Sequence, residues 1–147
     1  MITKLLIALA LVAITVAIHG AGISMALSHS LRSTDRLATR FWPITWLLIR
    51  IAWLLILFHL CEIVVWALFF WWQNCLPDAE SSFYFSGVTY ATLGYGDLLL
   101  PKAWRLFGPL EALVGTLMCG LSIAFFFGVL AKQFLKRLDV KEPTLSD

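Results

Sequence analysis

The sequence predicts an all-α membrane protein. Each chain is expected to carry three transmembrane helices, with a re-entrant helix and loop between the second and third. Three observations carry this. Of 147 residues, 61% are apolar and 14% charged, against about 45–50% and about 25% in soluble domains. A chain this small has too little interior to hide that excess from water, and disordered chains lack such apolar and aromatic content. Second, three apolar runs are each long enough to cross a bilayer. Third, the stretch between the last two runs is too polar to span and too apolar for a simple loop.

The first run, Leu5 to Leu27, holds no charged residue. Its 23 residues exceed the core of about 7–15 in a signal peptide, so Lys4 and the run read as a retained span (residues 1–28) rather than a cleaved leader. The second, Ile51 to Trp72, is interrupted only by His59 and Glu62. The third, Leu106 to Ala131, is interrupted only by Glu111. Each surpasses the roughly 20 helical residues that cross about 30 Å of hydrocarbon.

Basic residues set the orientation. Arg32, Arg36 and Arg40 lie in the first linker (residues 29–45), and Lys132, Lys136, Arg137 and Lys141 lie at the end of the third run and in the tail (residues 135–147). Two spans separate linker from tail, so both face one side, expected to be the cytoplasm. The N-terminus and the segment from Gln73 to Arg105 then lie outside. Ser30 to Phe41 reads as a short interfacial helix. Trp66, Trp71 and Trp72 read as an outer aromatic belt, and Phe41, Trp42 and Trp46 as an inner one. Arg50 can snorkel toward the inner surface.

In the intervening stretch, Pro77 and Asp78 mark a turn, and Asp78 or Ser81 can cap a helix. Ser82 to Ala91 makes about three turns, followed by Thr92-Leu93-Gly94-Tyr95-Gly96-Asp97. Glycine reaches positive φ without steric cost. Alternating backbone signs turn successive carbonyls to the same side, unlike a strand. Four such chains around an axis close the oxygens into rings that can replace the water shell of an alkali cation. Irregular backbone at membrane depth is tolerated where it lines such a cavity.

Thr92 to Asp97 resembles the selectivity-filter signature of the potassium channel pore family. The likeness covers span, pore helix, filter and span, residues 46–134, and resembles small prokaryotic channels with one extra N-terminal span. It implies ion coordination by Thr92, Leu93, Gly94, Tyr95 and Gly96. It places Asp97 at the outer mouth, where negative charge concentrates cations, and turns Tyr95 away from the axis. Two departures stand out. Tyr84 and Phe85 occupy the place of a tryptophan pair that many members carry, and Val88 that of an acid some carry behind the filter. The bonds clamping Asp97 must therefore differ. The pore helix would aim its negative C-terminal end at a cation below the filter.

The third span would line the inner pore. Gly115 and Gly120 resemble the flexible glycines of such helices. Thr116, Cys119, Gly120, Ile123 and Phe127 follow helical spacing, and Ile123 with Phe127 can form a constriction that closes by dewetting. The plainer reading is that Phe125 to Phe127 packs against lipid and neighbouring helices.

Two acids within spans are candidates for function. Glu111 can bond to the pore helix or pair with Arg105. Glu62, three residues after His59 on the same face, suggests a His–Glu pair facing another helix. Cys61 and Cys119 read as small apolar residues and Cys75 as a free thiol in the outer loop. His19 and His29 form no metal-ligand pattern in sequence. Gly20 and Gly22 let helices approach closely.

The expected function is passive K⁺-selective conduction by a homotetramer in a lipid bilayer, in a bacterial inner membrane. No cofactor, nucleic acid or substrate other than ions is expected. No nucleophile–base pair or phosphate loop supports catalysis, and no repeated Arg pattern supports voltage sensing. The alternatives are a weakly selective cation channel on the same scaffold and a non-conducting regulatory membrane subunit.

Overall fold

The structure, a computed structural model, describes residues 2–33 and 41–139, with side chains over 2–28 and 44–135. Four helices follow one another: α1 (Ile2–Ser33), α2 (Phe41–Trp72), α3 (Ala79–Tyr90) and α4 (Phe107–Asp139). Among the described residues there is no strand. Within α1, α2 and α4, the stretches Ile2–Ser28, Ile44–Trp72 and Phe107–Leu135 are long and apolar enough to cross a membrane. At 12 residues, α3 is about 18 Å long and cannot.

Both long boundaries differ from expectation. α1 continues to Ser33 and α2 starts at Phe41, so helix takes up both ends of the expected interfacial segment. Pro43 does not delay α2, because its missing N–H falls in the first turn, where it has no partner to lose. Arg36, Arg40 and Lys141 lie outside the described residues, as do the side chains of Phe41, Trp42, His29, Arg32, Lys136 and Arg137.

Two helix ends place the segment between α2 and α4. At the end of α2, Asn74 is left-handed with φ 51°. Its N–H reaches Trp71 O (2.9 Å), and the Cys75 N–H reaches Phe70 O (2.9 Å). This is a Schellman ending, with asparagine tolerating the conformation that glycine usually takes. At the start of α3, Asp78 Oδ1 accepts the Ser81 N–H at 2.6 Å. This bond holds the Asp78 carboxyl below the usual carboxylate range.

α1 lies antiparallel along α2. Gly22 meets Phe58, Thr15 meets Trp66, and Lys4 Nζ donates to Ala103 O at 2.6 Å and lies 4.8 Å from the Trp104 ring centroid. An added Cβ at Gly22 would sit 2.6 Å from the Phe58 ring, whereas Gly20 faces open space. Only Gly22 therefore serves close approach.

Trp66 is not part of a surface belt. It is fully buried, and its indole N–H donates to Thr15 Oγ1 at 3.1 Å while the Thr15 hydroxyl donates to Leu11 O. Hydropathy alone does not reveal which face of a span turns inward. Trp71 and Trp72 do remain exposed. Thr15→Val keeps the shape and leaves the indole N–H without its acceptor. It should cost about 1 kcal/mol, read as an earlier unfolding midpoint in detergent–SDS titration, with Thr15→Ser restoring it.

Aromatic packing fixes the end of the bundle that carries the Thr92–Asp97 loop. Phe69 stacks on Phe107 at 5.2 Å, Trp104 meets both edge-on, and Phe70 meets Phe85 at 5.4 Å. Cys75 is buried in this cluster with Leu11, Leu76 and Leu100, and burial pushes its thiol up. It is a free thiol, packed into the interior. Cys61 is exposed on α2.

Candidate functional site

α3 packs against α2 and α4 and ends in a second Schellman arrangement. The Thr92 N–H reaches Thr89 O at 2.9 Å and the Leu93 N–H reaches Val88 O at 2.9 Å. The left-handed residue in that ending is Thr92, φ 61°. A β-branched residue is a poor occupant of this region, at a cost of about 1–2 kcal/mol. Such strain persists only where the surroundings impose it, and it clusters at functional sites. Gly94 (φ 56°) and Gly96 (φ 77°) are left-handed as well. Among the described residues, the only other positive φ is at Asn74. Every second residue from 92 to 96 is thus left-handed. The two glycines were readable from sequence; Thr92 was not, because its residue type argues against the conformation it holds.

Asp97 closes this loop. Its Oδ2 accepts the Tyr84 hydroxyl at 2.8 Å and its Oδ1 accepts the Leu98 N–H at 3.1 Å. Tyr84 stands where the resembled family often has tryptophan, and here its phenol makes the clamp. The neighbouring carboxylate pushes the Tyr84 hydroxyl up. A raised phenol keeps its proton, so the bond holds at neutral pH and is lost as pH rises through the raised value. Tyr84→Phe should free Asp97 and lower the thermal midpoint in detergent at pH 7. The parent's midpoint should fall at high pH as the phenol ionises, and that fall should shrink in the variant.

Of the two partners expected for Glu111, the structure gives it α3. Glu111 is fully buried and its Oε1 accepts the Ser86 hydroxyl, which also reaches Ile63 O at 2.9 Å. Among the described residues no ion pair joins Glu111 to Arg105, and Glu111 Oε2 has no partner. A pocket of about 390 Å³ lies beside the loop, lined by Phe85, Thr89, Thr92, Gly94, Gly108 and Ala112 among others.

On α4, Thr116, Gly120, Ile123 and Phe127 form an exposed stripe, and Cys119 is half-buried beside it. The Thr116 hydroxyl donates to Ala112 O at 2.9 Å. Gly115 stands apart. It is buried, and a Cβ there would overlap the Tyr90 backbone carbonyl. Gly115 thus lets α4 approach the end of α3; it is a packing glycine where flexibility was expected. Phe125 and Phe126 pack on Leu47, Ile51, Leu55 and Val129, while Phe127 stays 63% exposed.

A family profile described as ion channel matches residues 53–132, more than half of the chain. The chain belongs to the ion channel family. No curated protein and no solved structure matches it. The matched range runs from within α2 through α3 and the Thr92–Asp97 loop into α4, leaving α1 outside. With three apolar helices long enough to span, this ion channel is an integral membrane protein, and its family points to transport rather than catalysis.

The channel's remaining intramembrane polar residues converge. Glu62 is fully buried and lies 3.8 Å from His59 Nδ1, the pair expected from their spacing. It is also 2.9 Å from His19 Nδ1 and accepts the Tyr90 hydroxyl. His59 in turn reaches Tyr90 Oη (2.9 Å) and Ser122 Oγ (3.0 Å), and Ser122 reaches His19 Nε2 (3.3 Å). One side chain or more from each of the four helices meets here. The absence of a sequence pattern at His19 was misleading, since its partner lies 43 positions away. Matching polar residues at equal depth on antiparallel spans is the signal that finds it.

Proposed function

We propose that four copies of this chain assemble around an axis and conduct K⁺ passively and selectively. The observation that carries the reading is the left-handed backbone at Thr92, Gly94 and Gly96, directly after the last turn of α3. In the tetramer, the oxygens of Thr92, Leu93, Gly94, Tyr95 and Gly96 form stacked rings that replace the ion's hydration shell. Binding spread over several rings admits the ion and still lets it leave. One chain supplies one filter strand, so the pore is complete only with four, most simply as a closed symmetric assembly.

The other parts follow from their places. The C-terminal end of α3, carrying about half a negative charge, points at the cavity below the rings. Asp97, held by Tyr84, gives the outer mouth its negative potential. Thr116, Gly120, Ile123 and Phe127 share an exposed face of α4 and line the inner pore, with Ile123 and Phe127 as its hydrophobic constriction. The membrane is a bacterial inner membrane, with the N-terminus outside and the C-terminus cytoplasmic.

The test is reconstitution of the purified chain alone into liposomes. K⁺-driven flux, with a particle mass of four chains after subtraction of detergent, is the expected result. Intact, folded protein that carries no ion would replace this reading with that of a non-conducting subunit.

A further inference from the structure

The polar cluster at the meeting of the four helices goes unused by conduction, and its composition is that of a ligand site. His19 is 2% exposed and Glu62 fully buried. One donor atom from each of His19, His59 and Glu62 can be chosen so that all lie within 4.8 Å of one another. Around a tetrahedral ion with bonds of about 2.1 Å, donors stand about 3.4 Å apart. The His19 Nδ1–Glu62 Oε1 separation is 2.9 Å and the His59 Nδ1–Glu62 Oε2 separation 3.8 Å, so the two imidazoles approach different oxygens of one carboxylate at distances either side of that spacing. Two imidazoles and one carboxylate suit Zn²⁺ and its neighbours among the divalent transition metals, and suit alkali ions poorly.

Five contacts close a ring: His19 to Glu62, Glu62 to Tyr90, Tyr90 to His59, His59 to Ser122, and Ser122 to His19. The candidate ligands are thus held together by side chains from all four helices, at membrane depth, where polar groups mark function.

We propose that this cluster is a divalent transition-metal site, with His19, His59 and Glu62 as the ligands. Tyr90 and Ser122 hydrogen-bond the ligating groups and fix their orientation, as outer partners of metal sites do. The residual positive charge faces the C-terminal end of α3, whose last residue is Tyr90 and whose dipole end is negative. Access is from a pocket of about 380 Å³ between α2 and α4, lined by His59, Cys119, Ser122, Ile123 and Phe127 among others. A bound ion ties α1 to α2 beneath the Thr92–Asp97 loop. The inference does not rest on the conduction reading.

The experiment uses the full chain in detergent, stripped with chelator, loaded with Zn²⁺ and desalted. One Zn²⁺ retained per chain is expected, with a higher thermal midpoint than the stripped protein. Co²⁺ in its place should give the visible absorption of a low-coordinate N/O site without the thiolate charge-transfer band. Glu62→Gln and His59→Gln should each weaken retention by about a hundredfold or more, since losing even an outer partner costs 10–100-fold. Elution volume and helical circular dichroism confirm that each variant is folded, and His19→Gln stands in for any that is not. Absence of retained Zn²⁺ in the parent would overturn the proposal. So would retention unchanged in the folded variants, which would place the metal on the thiols.

Discussion

Gly94→Asp is expected to silence the proposed K⁺ flux in proteoliposomes while leaving the amount and size of the purified assembly unchanged. The backbone at this position is left-handed, φ 56°, and aspartate enters that region more readily than most residues. The conformational cost is about 1 kcal/mol, too little to unfold the chain. Within one chain a Cβ at Gly94 meets no atom within 4 Å, so sterics inside the chain do not add to it. The loss arises at the proposed axis. Four carboxylates there displace the carbonyl column and hold a cation in place of passing it. Leu93→Val is the companion variant. Only the carbonyl of residue 93 is used in the proposed filter, so its K⁺ flux should match that of the parent. A conducting Gly94→Asp channel would remove this loop from the pathway.

Gly115→Ala carries the second large effect, on stability rather than conduction. Its new Cβ would overlap the Tyr90 carbonyl, which is backbone at the very end of α3. That carbonyl cannot swing aside, because the Schellman bonds from Thr92 and Leu93 hold the chain on either side. α4 must move away, opening contacts of Val114 and Met118 with Tyr90. Overpacking of this kind costs about 1–3 kcal/mol. It should appear as an earlier midpoint in detergent–SDS unfolding. Gly120→Ala, with open space at its Cβ, should leave the midpoint where it is. Equal effects at both positions would mean that helix propensity, not contact, decides.

The parts of this fold that were legible in the sequence are those written in composition. Long apolar runs declare α1, α2 and α4, and the Pro77-Asp78 turn followed by the glycine-rich hexapeptide declares α3 and its loop. Facing was not legible. The nearly uniform apolarity of α2 carries no stripe to show which side is buried, so Trp66 read as belt and proved to be core. Local conformation against type was not legible either, as Thr92 shows. Pairings across the bundle were hidden by distance along the chain. The Tyr84–Asp97 bond spans 13 positions, Ser86–Glu111 25, and His19–Glu62 43. Only the antiparallel stacking of α1 on α2 puts the last of these at one depth.

The central claim is that the carbonyls from Thr92 to Gly96 select K⁺. Bi-ionic reversal potentials of the purified chain in planar bilayers test it most directly, with K⁺ on one side and Na⁺ on the other. The expected result is a reversal potential far toward the K⁺ equilibrium value, with no measurable inward Na⁺ current. A reversal potential near zero would show that K⁺ and Na⁺ permeate equally, and would contradict it.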